Sequence, residues 1–293
     1  MTDAYAAQKS RATLPEDQTR PARLIQGVFV IEVGWILGAG LWIGLWSGVL
    51  TPTDTTALAA IVTLLTHGVL LGVTLMVVRA AQRRGFWDIV GPWEPALRDF
   101  LSVLIWGGGL VAALFLWSAT ELSAMPEVTQ KPLLPWLLLL PLAGAAILLQ
   151  TAAEEIYFRG YIQNTLAARF ANPMVWMVLP SLFFGLLHWT AEAGPIQAVQ
   201  TVAITTVFGL AAADLTARSG NLGAAIALHF TYNAGLMLTS STAGTPVSGL
   251  ALFLFPEGAA DQIETGPLLS MDLMIWLVFL AVLWLAARNA IRR

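Results

Sequence analysis

From residue 25 onward, long apolar runs alternate with short polar stretches along the chain. Runs of about 20 residues cross a bilayer core when helical. The pattern predicts eight spans, near 25–49, 57–78, 100–120, 133–158, 174–190, 196–216, 221–241 and 268–287. Pro52, the Gly91-Pro92 pair, Pro126, Pro132, Pro173, Pro195 and Pro267 fall between these runs or at their edges, where helix breakers belong. The fold class is therefore all-α, a polytopic membrane protein. Residues 1–24 are polar and predict a disordered cytoplasmic tail. The first apolar run is too long for a secretory signal and reads as a retained span. Residues 25–293 then form one transmembrane domain. In the outer connection 242–267, the apolar piece Leu250–Phe255 is too short to span, and is expected to lie at the interface or re-enter.

Composition agrees. Hydrophobic residues make up 57% and charged residues 11% of the chain, against about 25% charged in soluble domains. Mean hydropathy is +0.72. A net charge of −3 offers no nucleic-acid surface. The absence of cysteine excludes disulfides, thiolate ligands and a cysteine nucleophile. With both termini placed in the cytoplasm, fourteen of the fifteen basic residues fall on the inner side and only Lys131 on the outer, as the positive-inside rule requires. The expected setting is a multi-pass protein of a bacterial-type cell membrane, with the lipid bilayer as its surroundings.

Ionisable groups inside spans are expensive and usually functional. Those here are Glu32, His67, Glu154, Glu155, Arg159, His188, Asp214 and His229. Glu32 and Asp214 lie near the cytoplasmic edge, within reach of snorkelling or pairing. His67 stands alone in its span and reads as a structural histidine whose loss is nearly silent. Glu154, Glu155 and Arg159 cluster in one apolar helix. Glu155 and Arg159 are i,i+4 neighbours in the favourable order and can pair. Glu154 is turned about 100° away. Burial without a cation would raise its pKa, as a general base near neutral pH needs. The competing reading is a charge network that holds helices together.

Two further relations follow from spacing. Glu154 and His188 lie equally far from the Asn172-Pro173 turn, so an antiparallel helix pair sets them level. Phe184, one turn before His188, can wall the site. His229 and Asn233 form an i,i+4 pair of hydrogen-bond donors, suited to an oxyanion or to interhelical bonding. His229 lies nearer its own turn than Glu154 does, so the levels match only if 160–172 projects into or along the cytoplasmic interface.

These residues read E-E-x-x-x-R (Glu154–Arg159), F-x-x-x-H (Phe184–His188) and H-x-x-x-N (His229–Asn233). Their order, on separate spans, resembles the CAAX-protease and bacteriocin-processing (CPBP, or ABI) family of intramembrane proteases, which includes the Rce1-type prenyl-protein endopeptidases. The motif-bearing core is about 133–241. The resemblance implies eight transmembrane helices and a conical cavity open to the cytosol. It implies that Glu154 and His188 activate a water, that His229 and Asn233 form the oxyanion hole, and that Glu155 and Arg159 support them.

The expected function is hydrolysis of a peptide bond in a membrane-associated protein or peptide. The alternatives are a transporter, or an immunity or scaffold protein using the same buried charges. No cofactor is favoured; if zinc is bound, Glu154, His188 and His229 are its ligands, with a fourth position for water. Three separate helices and no H-E-x-x-H spacing argue against it. Reporter fusions after Arg98 and at the C-terminus should report cytoplasm, and a fusion near Glu127 the outside. A cytoplasmic signal at Glu127 would overturn the span count or the orientation.

Overall fold

Most of the apolar sequence becomes helix, even across Pro141 inside one of the spans, because inside a bilayer every backbone polar group must be satisfied within its own segment. The computed structural model describes residues 4–50, 55–190, 194–259 and 267–291. Helix α1 (Ala6–Arg11) precedes α2 (Pro21–Leu45), which starts with proline in its first turn. Helix α3 (Ala57–Leu65) is capped by the Thr56 hydroxyl, which accepts from Ala59 N. It breaks at Thr66 and resumes as α4 (His67–Gln82). A short α5 (Phe86–Val90) leads to α6 (Trp93–Ala124). Helix α7 (Leu133–Glu155) passes without interruption into a π-helical stretch, Ile156–Gln163, and then α8 (Asn164–Arg169). Helix α9 (Leu179–Leu186) follows a π-helical turn at Met174–Val178. Helices α10 (Pro195–Ser219), α11 (Gly223–Thr239) and α12 (Met271–Ile291) complete the bundle. Gly220, at φ 71°, supplies the left-handed residue that ends α10.

Among the described residues, six helices are long and apolar enough to cross a membrane: Pro21–Leu45, Ala57–Gln82, Trp93–Ala124, Leu133–Arg169, Pro195–Ser219 and Met271–Ile291. The spans expected at 174–190 and 221–241 are shorter helices, ending at Leu186 and Thr239. Both pack against other helices, α9 on α10 and α11 on α6, α7, α10 and α12. Apolar side chains stand exposed on α2, at Ile25, Phe29, Leu37 and Leu41, and also on α9, at Leu179, Leu182 and Leu186. The chain is thus an all-α polytopic membrane protein, apart from one small sheet.

The helix through residues 133–169 also answers the depth question. It runs 37 residues, roughly 55 Å at 1.5 Å per residue, well beyond a hydrocarbon core of about 30 Å. Part of it therefore lies beyond the core, the kind of projection that matching the levels of Glu154 and His229 calls for.

Two expectations are revised. The polar segment before residue 24, expected as a disordered tail, contains α1, which docks on α8 and α10. Tyr5 donates to Asp214 Oδ1 at 2.9 Å. Gln8, fully buried, donates to Asn164 Oδ1 at 3.2 Å and accepts from Gln163. Polar residues order here because they find buried polar partners on the C-terminal end of the 133–169 helix. After α11, Leu250 to Phe253 is buried, and the second half of the piece expected to be interfacial or re-entrant, Phe253–Phe255, is a strand. Strand β3 (Phe253–Phe255) pairs antiparallel with β1 (Thr129–Gln130) and parallel with β2 (Ser240–Thr242). Lys131 Nζ donates to Ser248 O and Gly249 O, and Trp136 Nε1 to Leu250 O. Burial lowers the Lys131 ammonium below its ordinary pKa. These bonds pin the loop against the start of α7.

Close approach of α9 to α10 depends on small residues. A Cβ on Gly185 would sit 2.1 Å from Thr206 Oγ1 and 2.8 Å from Val202 O. A Cβ on Gly209 would sit 3.1 Å from Ser181 Cα. Gly185→Ala should therefore push α9 off α10 and destabilise the protein by about 1–3 kcal/mol. Gly144→Ala, with no atom within 4 Å of the added carbon, should be neutral. Thermal unfolding in detergent compares them; equal midpoints would refute the close-contact argument.

Candidate active site

The three motifs meet where α7 turns into its π-helical continuation, packed against α9, α10 and α11. A π-helical turn shifts side-chain register relative to an α-helix, and such turns are frequent at functional sites. Here it places Arg159 in the bundle interior, 1% exposed. Arg159 Nη1 donates to Glu155 Oε1 at 2.9 Å, and Nη2 to Gly209 O on α10 at 3.0 Å. Its guanidinium carbon lies 5.0 Å from the Phe184 ring centre, a cation–π contact.

Glu155, 0% exposed, is shared. The same Oε1 lies 2.8 Å from His229 Nδ1. A carboxylate only accepts, so Nδ1 carries the hydrogen and His229 turns Nε2 toward Glu154. The distance from His229 Nε2 to Glu154 Oε2 is 3.6 Å. A continuous chain of contacts therefore runs from Gly209 O through Arg159, Glu155 and His229 to Glu154.

Glu154 does not lack partners, as the sequence reading supposed. Its Oε1 lies 3.2 Å from His67 Nε2 and accepts from Gln150 Nε2 at 3.2 Å. Gln150 in turn accepts from Asn233 Nδ2 at 3.4 Å. His67, read from the sequence as an isolated structural histidine, belongs to the site. The break at Thr66 and the packing of α4 on α7 bring it there, and the sequence carries no local signal of that pairing. Gln150 was legible in principle, because it lies one turn before Glu154 on the same helical face.

His188 sits just past the end of α9, half-buried, with Nδ1 bonded to Phe184 O at 2.8 Å. It lies within electrostatic reach of Glu154, although no direct hydrogen bond joins the two among the described residues. Phe184 is 2% exposed and its ring lies 4.5 Å from His188 and 5.8 Å from His229. It separates the two imidazoles and walls the site. Phe208 closes the other side of His229 at 4.7 Å. Glu154, His229 and Asn233 are all buried. The resemblance implies an open cavity, yet these three side chains are closely packed, and His188 is the most accessible of the four expected catalytic groups. Glu32 and Asp214, the two charges read as peripheral, are engaged elsewhere: Glu32 accepts from Tyr157 OH at 2.8 Å, and Asp214 accepts from Tyr5, Arg218 and Trp284.

The arrangement combines two carboxylates, three imidazoles, two carboxamides and a guanidinium in a desolvated setting. Such a set can move a proton and stabilise a developing oxyanion. The family model described as Type II CAAX prenyl endopeptidase Rce1-like matches residues 132–235, from the start of α7 into α11. That is about a third of the chain, and it contains all three motifs. No curated protein and no solved structure gave a match. The match agrees with the CPBP resemblance: residues 132–235 are similar to Rce1-like CAAX prenyl endopeptidases.

Removing one partner of a buried ion pair strands the other charge, at about 3–5 kcal/mol. Arg159→Ala should therefore lower the unfolding midpoint in detergent sharply. Arg159→Lys should restore little, because one ammonium does not reproduce the fork that serves both Glu155 Oε1 and Gly209 O. A wild-type midpoint for Arg159→Ala would show that the pair carries no structural weight.

Proposed function

We propose that the chain hydrolyses a peptide bond of a membrane-associated protein or peptide, using water activated by Glu154 and His188. The single observation that carries this reading is the position of Glu154: a buried carboxylate at the meeting point of residues from four helices, with one oxygen directed at His229. Glu154 takes a proton from water as its oxygen adds to the scissile carbonyl carbon. The carbonyl π electrons move to oxygen, and His229 Nε2 and the Asn233 amide donate to that oxyanion. For His229 to donate there while Nδ1 is bonded to Glu155, its ring carries both protons, and the Glu155 carboxylate offsets the charge. Glu155 and Arg159 act by fixing His229. Collapse of the tetrahedral adduct breaks the C–N bond, and the proton on Glu154 passes to the leaving amine. His188, the most accessible member, orients the water on the open side. No covalent intermediate forms.

A zinc ion would draw on Glu154, His188 and His229. Among the described residues, no three histidine, aspartate or glutamate side chains converge to hold a metal. Both imidazoles bond through Nδ1, to Phe184 O and to Glu155, which leaves each Nε2 for the reaction. We take the reaction to be metal-independent and glutamate-dependent, and no step is routed through a metal.

The family description names prenylated CAAX substrates. The test therefore pairs a quenched farnesylated CAAX peptide with a panel of unprenylated membrane-tethered peptides. Wild-type protein should cleave at least one of them. Glu154→Gln, His188→Ala, His229→Ala and Asn233→Ala should each lose about 10²–10³-fold in turnover, the usual effect of losing a catalytic donor. Equal turnover by wild type and Glu154→Gln would overturn the reading. Activity of chelator-washed protein should persist. One bound zinc per chain, with activity lost on its removal and regained on its return, would overturn the metal-free mechanism.

A further inference from the structure

The two oxygens of Glu154 are not equivalent. Oε1 is contacted by His67 Nε2 and by Gln150 Nε2, each at 3.2 Å. Oε2 has no hydrogen-bond partner and faces His229 Nε2. A glutamate carboxyl rotates broadly about its last torsion, so nothing intrinsic to the side chain selects one oxygen over the other. The selection comes from Gln150 one turn earlier on α7 and from His67 on α4, which lies outside the matched segment.

His67 is itself held firmly. Its Nδ1 lies 3.0 Å from Leu64 O, an acceptor only, so Nδ1 carries hydrogen and Nε2 is aimed at Glu154. The turn beneath it is fixed by the Thr66 hydroxyl, which donates to Thr63 O at 2.6 Å. The Trp35 ring on α2 lies 5.5 Å from the imidazole and supports its outer face. With both nitrogens directed at acceptors, one shared proton must sit between His67 and Glu154.

We propose that His67 is a positioning residue: with Gln150 it anchors Glu154 Oε1, and so presents Oε2 as the oxygen that accepts the proton of the attacking water. The inference rests on Glu154 being the general base. It also makes the reaction centre depend on α4, a helix outside residues 132–235 and outside all three motifs. Orientation of a catalytic group affects turnover more than binding, so the effect belongs in kcat.

The test uses the purified full chain and the peptide that wild type cleaves fastest in the panel above. His67→Phe keeps an aromatic ring against Trp35 and removes the donor. It should lower kcat about tenfold or more, the worth of one such hydrogen bond, with KM within about twofold. His67→Gln returns an amide N–H close to the position of Nε2 and should recover most of kcat. Wild-type kcat for His67→Phe, or no recovery by folded His67→Gln, would overturn the proposal. If His67→Phe does not accumulate as folded protein, His67→Gln and His67→Leu carry the same comparison. A readout independent of turnover is the imidazole ¹⁵N spectrum, tractable because the chain has three histidines. The His67 Nε2 resonance should move in Glu154→Gln; an unmoved resonance would overturn the contact. Turnover by Glu154→Gln would refute the base itself. A dead Glu154→Gln beside a fully active His67→Phe would refute only the positioning role.

Discussion

Glu155 is the group on which the interior depends. A fully buried carboxylate is tolerable only with its charge met, and here two partners from opposite directions meet it. Arg159 comes from the next turn of the same helix and His229 from α11. Arg159 also reaches the backbone of α10 through Gly209. The Glu155–Arg159 pair therefore ties three helices at a single point. The geometry of Glu154 follows, because the residue beside Glu155 on a rigid helix has little choice of direction. Burial of this pair is weak evidence for stability in itself, since desolvation offsets much of the attraction. Its stronger effect is on register: α7, α10 and α11 fit together in the one way that satisfies both charges.

The packing around that point is aromatic and small by turns. Phe184 touches His188, His229 and the Arg159 guanidinium, so one ring keeps three polar groups at fixed separations. Gly185, its neighbour, lets α9 lie directly on α10. The F-x-x-x-H motif thus works through the residue that fills space and the one beside it that yields space, as well as through its histidine.

Much of this was readable from spacing. The Glu155–Arg159 pair follows from the four-residue interval, and the polytopic helical fold follows from the apolar runs, where lipid leaves the backbone few alternatives. What could not be read depended on partners far away along the chain. His67 looked solitary because its contact is made across helices, and a lone histidine in an apolar run has no periodicity to betray it. The α1 segment looked like a tail because its residues are polar; its ordering depends on buried amides at Gln163 and Asn164. The outer strand looked interfacial because six apolar residues are ambiguous between strand, interfacial helix and re-entrant loop.

The long helix from Leu133 to Arg169 has a consequence for how the chain is made. It carries Glu154, Glu155 and Arg159, and a charged residue at the centre of an inserting helix costs about 2.5–3.5 kcal/mol. Its leucine-rich first half offsets that burden, with a mean hydropathy of 2.0 over its most apolar window. The remaining partners, Gly209 and His229, lie downstream and leave the ribosome later. During synthesis His67, on the earlier α4, is already available to Glu154, whereas Glu155 and Arg159 first neutralise each other and gain Gly209 and His229 only once α10 and α11 have followed. Assembly order is thereby written into the order of the motifs: the last one translated supplies the final partner of the Glu155 carboxylate.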